Sequence, residues 1–122
     1  MTAKIISSTV IFRSFDEAKA KEFYIDYLGF ELEFEHRFHD DAPLYMGVIR
    51  DDFRLHLSEH YGDATPGSSI RIEMCDLGAF HESLDKNYKY ARPGIMDQTW
   101  GCREVIINDP FGNRLVFYTN VK

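Results

Sequence analysis

A chain of 122 residues, 44% of them hydrophobic and 15% aromatic, can bury one ordinary core and is too short for two independent ones, so a single domain is expected. The net charge of -6 and a pI of about 5.3 leave no basic stripe for a phosphate backbone, which argues against nucleic acid and favours a cationic small molecule. No apolar run approaches the roughly 20 residues of a membrane helix, and MTAKIISSTVIF lacks the basic-then-apolar pattern of a signal peptide, so no membrane partner and a cytoplasmic location are expected.

Taken in chain order, the first strong pattern is a helix opened by Asp16. Ala20, Phe23, Tyr24 and Tyr27 fall on one face of it, and Gly29 supplies the left-handed stop. Three strands follow, the last two joined by the turn in GVIRDDFRLHL. YGDATPGSS then has the composition of a connection. The second half repeats the order: an alternating strand from Ser69 to Cys75, a helix after Asp76 carrying Leu77, Phe80 and Leu84 and ending near Asn87, and the hairpin REVIINDPFGNRLVF. Asp16 and Asp76 are 60 residues apart, as are Arg54-Leu55-His56-Leu57 and Arg114-Leu115-Val116-Phe117. The expectation is one α+β domain of two βαβββ modules, about 1 to 62 and about 68 to 122. Neither module can bury both its helix and its sheet face alone, so the sheets should curl around a shared concave cleft. Cys75 and Cys102 lack CxxC spacing and read as reduced core thiols.

FDEAKAKEFYIDYLGFELEFE early, DPFGNRLVFYT late and the duplicated layout together resemble the vicinal oxygen chelate superfamily of glyoxalases, extradiol dioxygenases and bleomycin resistance proteins. The resemblance spans nearly the whole chain and implies a glyoxalase-like curled mixed sheet; fold alone does not fix function. GVIRDD and TWGCRE followed by DPFGN look more narrowly like bleomycin-binding resistance proteins. That likeness implies a homodimer holding a bleomycin-like antibiotic or aromatic metabolite in a cleft between subunits, without catalysis and without a cofactor.

The superfamily's enzymes chelate substrate through a divalent metal held by the first and last strands of each module. By resemblance those positions are His56 and Val116, with residues near Thr9 and near Ser69 or Ile70. Only His56 is a ligand type there, and a metal needs about three or more protein ligands, so no metal site is expected. The alternative is a metal-dependent glyoxalase or dioxygenase using His56 and a ligand from elsewhere. His56-Leu57-Ser58-Glu59-His60 also spells a zinc-peptidase pattern, but its strand alternation puts Glu59 on the wrong face. His36, His39, Asp40 and Asp41 read as a solvated loop or as an acidic rim that attracts a cation.

The resemblance implies that Trp100, beside Gly101 at the mouth of the last hairpin, stacks on flat rings of a ligand; the bland reading is a plug at the end of the sheet. Tyr45, two residues before GVIRDD, is the aromatic expected to face Trp100 from the opposite subunit, or else an ordinary strand residue. Phe34 and Phe38 alternate with charged residues and read as core first, cleft second. His56 points into the cavity by family position and is expected to hydrogen-bond a ligand or a neighbouring side chain. A sensor or partner-binding module has no specific motif in its favour.

Overall fold

In the computed structural model, which describes residues 2–121, eight strands form two four-stranded sheets. The first holds β1 (Val10–Arg13), β2 (Glu31–His36), β3 (Tyr45–Arg50) and β4 (Phe53–Ser58) in the order β1-β4-β3-β2. The second holds β5 (Ser69–Glu73), β6 (Ile95–Asp97), β7 (Cys102–Asn108) and β8 (Arg114–Asn120) in the order β5-β8-β7-β6. Neighbours are antiparallel except at one edge of each sheet, where β1 lies parallel to β4 and β5 to β8. The 60-residue repeat survives into the hydrogen-bond register: Val10 pairs with Leu55 as Ile70 pairs with Leu115, and Ile11 with His56 as Arg71 with Val116. This is the α+β, glyoxalase-like architecture of paired βαβββ units.

Strand alternation sends one apolar face of each sheet inward. Phe12, Met46, Val48, Leu55 and Leu57 from the first sheet join Val105, Ile107, Leu115 and Phe117 from the second in one buried cluster. The helical stripe read from the sequence completes it: Ala20, Phe23, Tyr24 and Tyr27 are all buried. Asp16 caps α1 (Glu17–Lys21), its side chain accepting the Lys19 N–H at 2.9 Å. A π-helical turn (Glu22–Tyr27) follows, in which the Leu28 N–H reaches back five residues to the Phe23 carbonyl at 2.9 Å. The wider turn lets Phe23, Tyr24, Tyr27 and Leu28 all reach the core, and Gly29, at φ +79°, ends the segment.

The second helix departs from expectation. α2 (Leu77–Ser83) stops four residues short of Asn87 because Leu84 turns to extended backbone, yet Leu77, Phe80 and Leu84 remain buried. Asp76 is left-handed at φ 54° and its side chain makes no cap bond, unlike Asp16. Cys102 is buried as expected, whereas Cys75 is exposed, because it leaves the alternation of β5 for the loop that enters α2.

The DPFGN hairpin ties the two halves together. Asp109 accepts from the Tyr24 hydroxyl at 2.7 Å, from the Phe111 and Asn113 amides at 2.9 and 2.8 Å, and from the Asn113 side chain at 2.9 Å. The same Asn113 amide donates to the Arg13 carbonyl at 2.9 Å. Burial, and then the Asp109 charge, hold the Tyr24 hydroxyl well above its ordinary pKa, so it remains a donor. Tyr27 stacked on Tyr88 at 4.4 Å and Arg50 over the Phe80 ring at 5.1 Å add contacts between the same halves.

Candidate functional site

The face of each sheet turned away from the core carries the candidate site. On the first sheet that face presents Ile11 from β1, Tyr45 and Gly47 from β3, and His56 and Ser58 from β4. A register shift in β2 between Leu32 and Phe34 brings Phe34 over Gly47 on this face. A Cβ at position 47 would sit 2.3 Å from Phe34 Cε1, so only glycine allows the ring to lie there. Phe34 stacks on Tyr45 at 6.1 Å and 18°, and meets His56 edge-on at 5.1 Å and 88°. The sequence reading of Phe34 as a core residue is corrected by this bulge: the ring is 37% exposed. A mid-strand glycine inside GVIRDD was the available signal.

Tyr45 and His56 form the polar part of this wall, with the phenol oxygen 2.7 Å from His56 Nδ1. A phenol is the better donor of the two, so Nδ1 accepts and Nε2 carries the ring proton that a ligand can use. Burial lowers the His56 pKa, with Glu33 opposing and Arg54 assisting; burial also raises Tyr45. The folded protein therefore prefers neutral His56. Stability from this group is complete above the unfolded histidine value of about 6.5 and falls as the pH drops from there through the folded pKa. An NMR titration is expected to place the His56 midpoint below the unfolded histidine value of about 6.5, and His56→Asn should flatten that part of the stability profile. A midpoint at or above about 6.5 would contradict the arrangement.

The second sheet presents a different face. Arg71 on β5 donates to Glu104 on β7 at 2.8 Å and lies over the Tyr118 ring of β8 at 4.2 Å. Gln98 reaches the other Glu104 oxygen at 3.3 Å, and Val116 fills the space beside Arg71. Trp100 stands in the turn between β6 and β7, closed by the Gly101 amide on the Gln98 carbonyl at 3.2 Å, with Gly101 at φ +88°. It is 61% exposed and, among the described residues, enters no aromatic pair; it is not a plug in the core. Phe38 is 76% exposed on the β2–β3 loop, edge-on to His36 at 4.7 Å and to His60 at 5.7 Å, because that loop projects past the sheet. The structure thus brings Tyr45 and His56 together with Phe34, places Phe38 at the rim, and leaves Trp100 and Gly101 on the other sheet.

The family model described as "Glyoxalase superfamily protein" matches residues 3–122. The chain belongs to the glyoxalase superfamily. Comparison with curated proteins returns no match. Among solved structures, the bleomycin-binding protein from bleomycin-producing Streptomyces verticillus, complexed with copper(II)-bleomycin, is 28% identical, with a TM-score of 0.70 over 99% of this chain and 100% of that one. An antibiotic binding protein from a Streptomyces species shares 23% identity and a TM-score of 0.72 over 97% and 99% of the two chains. A member of the glyoxalase/bleomycin resistance protein/dioxygenase superfamily from Sphaerobacter thermophilus has a TM-score of 0.74 at 19% identity, over 96% and 98%.

Membership in the glyoxalase superfamily raises the metal question, and the donor set answers it. In the strand pairs where the family's enzymes hold a metal, His56 lies beside Ile11 and Val116 beside Arg71. Thr9 precedes β1 and Ile70 packs toward the core, so Ile11 and Arg71 are the residues nearby that share a face with His56 and Val116. One imidazole with Ile, Val and a fixed guanidinium cation does not fit a divalent ion. No group of three or more His, Cys, Asp or Glu gathers elsewhere among the described residues. Nor does the HxxEH pattern form a helix: His56 and Ser58 lie in β4, and Glu59 accepts the Leu44 amide at 3.2 Å. No helix among the described residues is long and apolar enough to cross a membrane.

Proposed function

We propose that this protein sequesters a planar small molecule, of the bleomycin type or another aromatic antibiotic or metabolite, in a cleft between two copies of the chain, without catalysis and in the cytoplasm. The observation that carries the reading is the open aromatic wall of Phe34, Tyr45 and His56 on one sheet, together with a freely exposed Trp100 on the other. In a two-fold dimer the wall of one copy meets the Trp100 turn of its partner, so flat rings are held between Tyr45 or Phe34 and the indole. Each such stacking contact contributes roughly 0.5–1.5 kcal/mol beyond buried area, more for a cationic ring system. His56 Nε2 supplies a hydrogen bond, Gly101 keeps the turn close to the ligand, and Phe38 closes the rim. The net charge of -6 draws cations toward the cleft.

Two further facts support the reading. A structure 28% identical along its whole length is a bleomycin-binding protein, and the residues at the family's metal positions do not form a ligand set. For the homodimer, the segment before β1 carries Ile5 and Ile6 at 93% and 96% exposed, two adjacent apolar side chains that a second copy would cover.

Calorimetric titration of the protein with metal-free bleomycin tests the proposal. The expected dissociation constant is about micromolar or tighter, near -8 kcal/mol, and Trp100→Ala should weaken it about tenfold or more. Absence of heat from bleomycin and from a panel of planar aromatic antibiotics would overturn sequestration as the function.

A further inference from the structure

The open face of the second sheet holds a charged pair that the aromatic-wall reading does not use. Glu104 is 2% exposed although it lies on the outward-facing side of β7, where Ile106 and, on β8, Val116 show that apolar residues fill the same layer. Taking a carboxylate out of water costs several kcal/mol unless its partners are well placed, and an apolar residue would seal this layer without that cost. What the carboxylate does here is hold Arg71. The guanidinium is fixed on three sides, by Glu104 Oε2 at 2.8 Å, by the Tyr118 ring at 4.2 Å and, weakly, by Cys102 Sγ at 3.9 Å. Its side chain nevertheless remains 47% exposed.

We propose that Arg71 is a ligand-binding residue, recognising a carboxylate, sulfonate or phosphate carried beside the ligand's flat ring system, with Glu104 and Tyr118 as its positioning residues. The inference rests on the sequestration reading and adds the chemistry of the cleft's second wall. A guanidinium presents five N–H donors in a rigid fork suited to oxyanions. Glu104 and the thiol engage two of its nitrogens, and the remaining donors have no partner among the described residues. Because Tyr118 and Glu104 hold the fork before any ligand arrives, little side-chain freedom is lost on binding. Equivalent places in the two parallel strand pairs thus carry His56 beside Ile11 on the first sheet and Arg71 beside Val116 on the second. Arg114 lies on the same face as Arg71, but among the described residues its side chain has no ion-pair partner, so it adds charge without a fixed fork.

Anilinonaphthalene sulfonate and phenylnaphthylamine share one ring system and differ by the sulfonate, so their fluorescence titrations separate the subsite from the aromatic cleft. The wild-type protein should bind the sulfonate about tenfold or more tightly than the neutral probe. Arg71→Gln should erase that preference with the neutral probe unaffected, and Arg114→Gln should keep it. Arg71→Gln combined with Glu104→Gln removes the buried unpaired carboxylate that could unfold the single variant, and should behave in the same way. Equal binding of the two probes by wild type, a preference that survives in the folded Arg71 variants, or an Arg114→Gln variant that loses it as fully, would overturn the subsite while leaving the aromatic cleft standing. Failure of both probes to bind would overturn the cleft reading as well.

Discussion

Replacing Asp109 with alanine is expected to lower the free energy of unfolding by about 3–5 kcal/mol, seen as a fall in Tm of roughly 10–20 °C. The carboxylate accepts four hydrogen bonds, and three of the donors have no other partner: the Tyr24 hydroxyl and the Phe111 and Asn113 amides. Tyr24 is fully buried, so its hydroxyl cannot turn to water when the acceptor is gone. Each buried donor left unpaired costs about 1–3 kcal/mol, which is why the alanine substitution should exceed the sum of the bonds' net contributions. Tyr24→Phe, which removes one donor and leaves the carboxylate three others, should cost only about 1–2 kcal/mol. The double variant should be less destabilised than the two singles added together, because the orphaned hydroxyl is absent from it. Urea unfolding of the three variants measures all of this; a loss under about 1 kcal/mol for Asp109→Ala would mean that water replaces the carboxylate and that the hairpin is not held by it. The position also bears on binding, since Asp109 anchors the last hairpin of one sheet to the helix of the other half and so fixes how the two open faces are disposed.

Changing Ile5 and Ile6 together to serine is expected to turn the proposed dimer into a monomer at micromolar concentration. Fully burying an isoleucine side chain contributes roughly 1.5–3 kcal/mol, and in a symmetric dimer both arms are lost, so four side chains forfeit roughly 6–12 kcal/mol of apolar burial. The rigid-body freedom lost on association is the same for both proteins, so the forfeited burial falls directly on the dissociation constant, which should rise about ten-thousandfold or more. Sedimentation velocity reads the result directly, and bleomycin binding should disappear with the dimer if the cleft needs both copies. A variant that stays dimeric would remove the arm from the interface, and a wild-type protein that sediments as a monomer would remove the dimer itself.

Much of the architecture was legible in the residues. The 60-residue spacing of Asp16 and Asp76, and of RLHL and RLVF, reappears as identical strand registers, because side-chain alternation on a half-buried sheet tolerates no slip. The helical stripe of Ala20, Phe23, Tyr24 and Tyr27 is buried as its spacing required, although the π-helical turn that lets adjacent residues share the core has no signature in a periodicity of 3.6. Cys75 and the end of α2 were misread because both sit at an element boundary, where one residue's backbone conformation decides exposure. Phe34 was misread for a different reason: alternation assigns it to the core, and a bulge, which inverts the alternation, reverses the assignment.

The sequence by itself determined the module order, the hairpin turns, the inward apolar faces and the acidic balance, all of which follow from composition or local periodicity. Only the tertiary structure decided that Phe34 lies on Gly47 against Tyr45 and His56, that Trp100 stands free, and that Arg71 is held by Glu104 from a strand 31–37 residues further along. Those contacts join residues distant in sequence whose side chains meet because of strand order and a single bulge, and no local pattern encodes which strand lies beside which.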